Sequence, residues 1–171
     1  MIKIILVGTV IMASACAQKD KPEFPKPNGT PINDFANLIA HEDSVVIDSL
    51  IKRIYDDKLA EIVVCTMDSI PKASVGHSDA LRYGTELFNS WGIGRKDVND
   101  GILFFISKYD KKTALCTGLG IETYLPDSTC GRILDNYLIP HFKRGNVGKG
   151  FIAGVMITQK ILQQRKKSAA F

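Results

Sequence analysis

Two short stretches hold the residues whose types could do chemistry. The first runs from Trp91 to Gly101 and contains Arg95, Lys96, Asp97, Asn99 and Asp100; the second runs from Thr117 to Asp127 and contains Glu122 and Asp127. Carboxylates accompanied by an amide are oxygen donors of the kind that a hard cation such as Ca²⁺ or Mg²⁺ takes. The same carboxylates could supply an acid/base pair, because neighbouring carboxyl groups push each other's pKa values apart. Plainer roles stand beside these. Asn99-Asp100-Gly101 is a turn signal, so Asp100 could simply close a loop, and Asp127 could cap a helix.

For either chemistry the two stretches must meet, and the surrounding pattern says how. Gly101 to Ser107 and Lys112 to Gly118 are apolar, β-rich runs joined by the polar turn Lys108-Tyr109-Asp110-Lys111, which predicts an antiparallel hairpin. One stretch enters the first of these strands and the other leaves the second, so both loops belong at one sheet edge. A further buried strand is expected over Ala60 to Met67, closed by Asp68-Ser69-Ile70-Pro71. Helical spacing predicts a helix from His41 to Leu59, with Asp43 or Ser44 as cap. A second is expected from Ser78 to Ser90, with Asp79 early and Gly92 just past its end. A third, capped by Asp127 or Ser128, carries Ile133, Leu134, Tyr137 and Leu138 and is expected to stop before Pro140. A last one starts near Gly148 and trails into Arg165-Lys166-Lys167. The economical packing is an α/β fold with a mixed sheet of about four strands covered by helices on both faces; the less patterned segments leave room for a short extra edge strand.

Composition narrows the function classes. The 171 residues are 45% hydrophobic and 23% charged, which suits one globular domain and excludes a disordered chain. A net charge of +4, without a long basic run, gives no argument for nucleic acid. Gly118-Leu119-Gly120 is too short for a dinucleotide fingerprint, and neither a Gly-x-Ser-x-Gly elbow nor a Cys-His pattern is present. His41, His77 and His141 sit in separate segments without ligand spacing, so zinc has little support. Cys65 reads as a small core residue, and Cys116 and Cys130 as core residues or an opportunistic pair. Trp91 reads as a core or lid aromatic.

The first 31 residues read as an address and a tether. Lys3 is followed by about nine largely apolar residues, too few to span a bilayer as a helix. Ala13-Ser14-Ala15-Cys16 then resembles a bacterial lipobox, with Ala13 where Leu is commoner. This predicts a signal peptide over 1–15 and acylation of Cys16, hence a lipoprotein held in the bilayer of the cell envelope and facing the periplasm or exterior. An ordinary secretory signal cut at the same small residues is the alternative. Residues 17–31 carry four prolines and alternating charges, and about 15 residues in an extended polyproline-like form reach roughly 45 Å. The domain is expected over 32–171.

The succession of Glu61-Ile62-Val63-Val64, Leu87-Phe88-Asn89-Ser90-Trp91-Gly92-Ile93-Gly94, Asn99-Asp100-Gly101-Ile102-Leu103-Phe104, Gly118-Leu119-Gly120-Ile121-Glu122 and Leu125-Pro126-Asp127, before a helix ending near Pro140-His141-Phe142, resembles the TPM domain family. That family takes its name from a thylakoid-lumen phosphatase, a photosystem repair factor and a nematode receptor-accessory protein. The resemblance covers about residues 32 to 162. It implies a three-layer α/β/α sandwich and, for some members, divalent-cation binding and acid phosphatase activity centred on acidic loop residues. Many bacterial members continue into a transmembrane segment and a Gly-rich tail, which this sequence does not show after its last helix; an N-terminal lipid is expected to anchor it instead.

Two functions follow as expectations. In one, the domain is a cation-ordered, non-catalytic module that assists an envelope membrane-protein complex. In the other, it hydrolyses phosphate monoesters: Asp100, Glu122 and Asp127, with Asn99, hold Ca²⁺ or Mg²⁺, Asp97 and Asp100 are the catalytic candidates, and Arg95 or Lys96 holds substrate.

Overall fold

The computed structural model describes residues 24–71 and 79–168. The expected signal peptide, Cys16 and His77 lie outside the described residues. The chain folds into four strands, β1 (Ile32–Asp34), β2 (Glu61–Met67), β3 (Gly101–Ser107) and β4 (Lys112–Thr117). They lie side by side in chain order; β1, β2 and β3 run parallel, and β4 returns antiparallel to β3 with Ile102 opposite Thr117 and Ser107 opposite Lys112. β1 is the short edge strand, and it falls where the sequence is too mixed to announce one.

The sheet is buried on both faces, which is why β2 and β3 read as apolar runs rather than alternating ones. Ile62, Val64, Ile102, Phe104 and Leu115 point to one side, against α1 (His41–Asp56), α3 (Asp127–Ile133) and α5 (Val147–Ser168). Cys65, Leu103, Phe105, Ala114 and Cys116 point to the other, against α2 (Ala80–Trp91). The architecture is thus an α/β/α sandwich. Asp79 caps α2 by accepting from the Leu81 and Arg82 amides, and Gly92 ends it in the left-handed conformation.

Three local expectations are corrected. Neither Asp43 nor Ser44 caps α1: the N-cap is Ala40, and Asp43, one turn in, meets the ammonium of Lys149 at 2.7 Å. A side chain at Gly148 would strike Asp43, so the small residue lets the starts of α1 and α5 approach. At the start of α3 the N-cap is Pro126, whose carbonyl accepts from Thr129 and Cys130, while Asp127 stands in the first turn. Nor does the helical path stop before Pro140. A π-helical turn over Leu134–Leu138, in which the Ile139 amide reaches back to the Leu134 carbonyl, leads into α4 (Ile139–Phe142). The wider turn accommodates a proline ring and a missing N–H that a regular α-helix would not.

The part of the expected tether that is described lies on the domain. Phe24 packs against Tyr83 with ring centroids 5.4 Å apart, and the Trp91 indole donates to the Pro25 carbonyl at 2.8 Å. Asn28 and Thr30 then form a local network with Ile32 and Asn33 that feeds β1. Among the described residues, contacts with the sheet and helices are thus already made by Phe24 and Pro25, within the segment read as tether. Trp91 is a partly buried packing residue that also meets Phe35.

Candidate functional site

The hairpin register brings the two polar loops together at the edge where β3 begins and β4 ends. The Gly118 amide donates to the Gly101 carbonyl and the Gly120 amide to the Asn99 carbonyl, both at 2.9 Å. The two loops pack backbone on backbone. A Cβ on Gly118 would run into the Asn99 carbonyl, and one on Gly120 into the Val98 carbonyl. Gly94 adopts φ +114° with its open side 2.7 Å from the Gly101 amide nitrogen. The glycines thus explain themselves as spacing residues rather than as a phosphate cradle. Asp97 and Asn99 take left-handed backbone angles, φ 70° and 53°, which short polar side chains tolerate.

Inside this frame the candidate residues divide. Asp100 is buried, with 3% of its surface exposed, and faces Arg95. One carboxylate oxygen accepts from the Arg95 backbone amide at 2.9 Å; the other accepts from the guanidinium Nε at 2.7 Å and also from Nη2. The guanidinium further donates to the Lys58 carbonyl at 3.1 Å and lies over the Tyr55 ring. The hydrogen bond to Asp100 holds the Arg95 pKa above its ordinary value. This pair closes the loop onto the C-terminal end of α1, which leaves Asp100 with little free coordinating capacity and Arg95 with little for an external anion. Lys96 and Asp97 are exposed on the outer side of the same loop.

Asn99, Glu122 and Asp127 come together around a different feature, a cleft of about 460 Å³ between α2 and the second loop. Thr117 lines it from the end of β4, and Thr85 and Asn89 line it from α2. Thr85 and Asn89 are one helical turn apart, a spacing that places them on one face; nothing else in the sequence marked them. The charges of Asp127 and Glu122 both help to raise the pKa of Cys130, whose burial pushes it up to about 11. Among the described residues, no three His, Cys, Asp or Glu side chains form a group that could hold a metal. Beside these two carboxylates the cleft offers neutral groups, among them the Asn99 amide, the Thr85 and Thr117 hydroxyls and the Cys116 thiol. Carboxylate, amide and hydroxyl oxygens are donors of the kind that Ca²⁺ and Mg²⁺ take, with water completing the shell.

Of the three described cysteines, Cys116 lines the cleft, where the Thr85 hydroxyl donates to its Sγ at 3.8 Å. Cys65, Cys116 and Cys130 are free and buried, Cys116 on the α2 side of the sheet and Cys130 on the other. Burial pushes Cys65 to about 12 and Cys116 to about 11, so these thiols are inert packing groups. Among the described residues, no helix is long and apolar enough to cross a membrane.

Comparison with known proteins agrees with the fold. No curated protein matches the chain. Among the solved structures that share its fold are three NMR structures. The N-terminal domain of a protein from P. gingivalis is 29% identical, with TM-score 0.69, over 79% of this chain and 83% of that one. The N-terminal domain of cg2496 from Corynebacterium glutamicum is 12% identical, with TM-score 0.61, over 81% and 84%. The BA42 protein from Bizionia argentinensis is 18% identical, with TM-score 0.61, over 74% and 82%. A family model described as the TPM domain matches residues 32–161, and the chain therefore belongs to the TPM domain family.

Proposed function

We propose that this protein is an envelope lipoprotein whose TPM domain binds a divalent cation as a non-catalytic module assisting a membrane-protein complex. The observation that carries the cation is the convergence of Asn99, Glu122 and Asp127 on one open cleft. With two carboxylates, the affinity belongs at the weak end of the range for oxygen sites, on the order of 0.1–1 mM. That suits a compartment where the cation is abundant. The non-catalytic reading is favoured by the use of Arg95 and Asp100: both are engaged with each other, and Asp97 does not line the cleft with Glu122 and Asp127. A phosphatase would have to gather a cation, a nucleophile and a cationic phosphate holder at one place.

The test is a pair of measurements on one preparation. Ca²⁺ or Mg²⁺ at several millimolar is expected to raise the unfolding temperature of the wild type and not of Glu122→Gln/Asp127→Asn, since a ligand bound only to the native state stabilises it. Aryl phosphate is expected to survive incubation with either cation from acid to neutral pH. Metal-dependent turnover abolished by Asp97→Asn would replace the module with the hydrolase.

A further inference from the structure

At the opposite edge of the sheet, where β3 ends and β4 begins, lies a second groove of about 540 Å³, within the size range of small-molecule pockets. Its floor is apolar: Leu38, Ile106, Ile139, Phe142 and Val147 line it. Leu38, Ile139 and Phe142 keep part of their surface open to solvent. Phe142 is held in place by Phe151, with ring centroids 5.3 Å apart, and by Gly150, where a Cβ would come within 2.6 Å of its ring. The floor is therefore built, not a chance exposure.

The wall has one sign of charge. Lys108, Lys111, Lys112 and Lys143 line the groove, and no Asp or Glu does. Asp110, beside the groove and partly exposed, accepts from the Ser107 hydroxyl and, at 2.7 Å, from the Ile70 amide, and its charge also interacts with Lys112. Val147 stands at the start of the 22-residue α5, whose first turn already packs against the Asp43 carboxylate, so the positive charge at the groove comes from the lysines. An apolar trough rimmed by ammonium groups complements a molecule with a hydrocarbon chain and an anionic head. Lys108 also lies over the Tyr109 ring; a hydrocarbon alone would set no anion against Lys111 and Lys143, and a compact anion would leave the floor uncovered. The groove also lies outside the carboxyl end of a parallel strand, the edge at which open α/β sheets accept ligands.

We propose that this groove binds a single-chain anionic amphiphile of the fatty-acid carboxylate class, chain on the apolar floor and carboxylate among the lysines. The site is separate from the acidic cleft and does not depend on the cation.

The full chain is titrated with sodium laurate below its micelle-forming concentration, read by calorimetry. Saturable binding is expected, and Lys111→Glu/Lys143→Glu is expected to weaken it about tenfold or more, the equivalent of about 1.4 kcal/mol. Both lysines are exposed, so the thermal midpoint of that variant should match the wild type. Lys111→Gln/Lys143→Gln should fall between the two. Inorganic phosphate, which has the charge without the chain, and dodecyl maltoside, which has the chain without the charge, should each bind at least tenfold more weakly than laurate. Absence of saturable laurate binding, equal affinity in the Glu variant, or equally tight binding of either control would overturn the proposal. Binding confined to phosphatidylglycerol vesicles would also overturn it, because it would mark a surface attracted to bilayers instead of a site for one molecule.

Discussion

Asp100 illustrates how a residue with the right chemistry can be committed elsewhere. In sequence it stands beside Asn99 as a natural ligand, yet a buried carboxylate needs a partner, and Arg95, five positions earlier, supplies both a guanidinium and a backbone amide. Removing one member of such a pair leaves the other uncompensated. Arg95→Met should therefore destabilise the fold by about 3 kcal/mol in a denaturant titration, while leaving Glu122 and Asp127 in place. Asp110 gives a pH signature. The Ser107 hydroxyl and the Ile70 amide hold its pKa below the ordinary carboxylate value, so its contribution is present above about pH 4 and fades as pH falls through the lowered native value. Asp110→Asn should be less stable than wild type at neutral pH, and the difference should vanish in strong acid. The buried thiols offer a third check: Cys65, Cys116 and Cys130 should resist alkylation at pH 8 in the native protein and react once it is unfolded.

At the scale of elements, the strand runs were legible because double burial demands continuous apolar residues, and the hairpin because four polar residues cannot form a crossover. Asp79 and Gly92 marked α2 for the same local reasons that the structure uses them. What stayed hidden depended on contacts distant in sequence. Asp43 looks like a cap until Lys149 is placed beside it, and Pro140 looks like a stop until a π turn makes room for it. The site was half legible: the hairpin placed both loops at one edge, but the division between a buried Arg95–Asp100 pair and an open Asn99–Glu122–Asp127 cleft is a matter of side-chain direction. The glycines that let the loops stack are testable. Gly120→Ala drives a methyl group into the Val98 carbonyl, and overpacking of this kind costs about 1–3 kcal/mol. Cation-dependent stabilisation should be lost with it, since Asn99 and Glu122 lie on opposite sides of that contact.

Over the whole molecule, the two edges of the sheet differ in kind. One carries an acidic cleft and the other a lysine-rimmed apolar groove, while the net charge of +4 describes neither. The segment from Phe24 to Pro31 runs against the domain, so an anchor at Cys16 would hold the domain closer to the lipid than a tether of 17–31 would allow. If Cys16 is the anchor, Cys16→Ser should move the protein from the membrane fraction to the soluble fraction of the envelope. The central claim concerns the acidic cleft, and its most direct measurement is a calorimetric titration of the full chain with Ca²⁺ and Mg²⁺. The account predicts saturable, sub-millimolar to millimolar binding that survives Asp97→Asn and disappears in Glu122→Gln/Asp127→Asn. Binding unaffected by loss of Glu122 and Asp127, or no binding by the wild type, would contradict it.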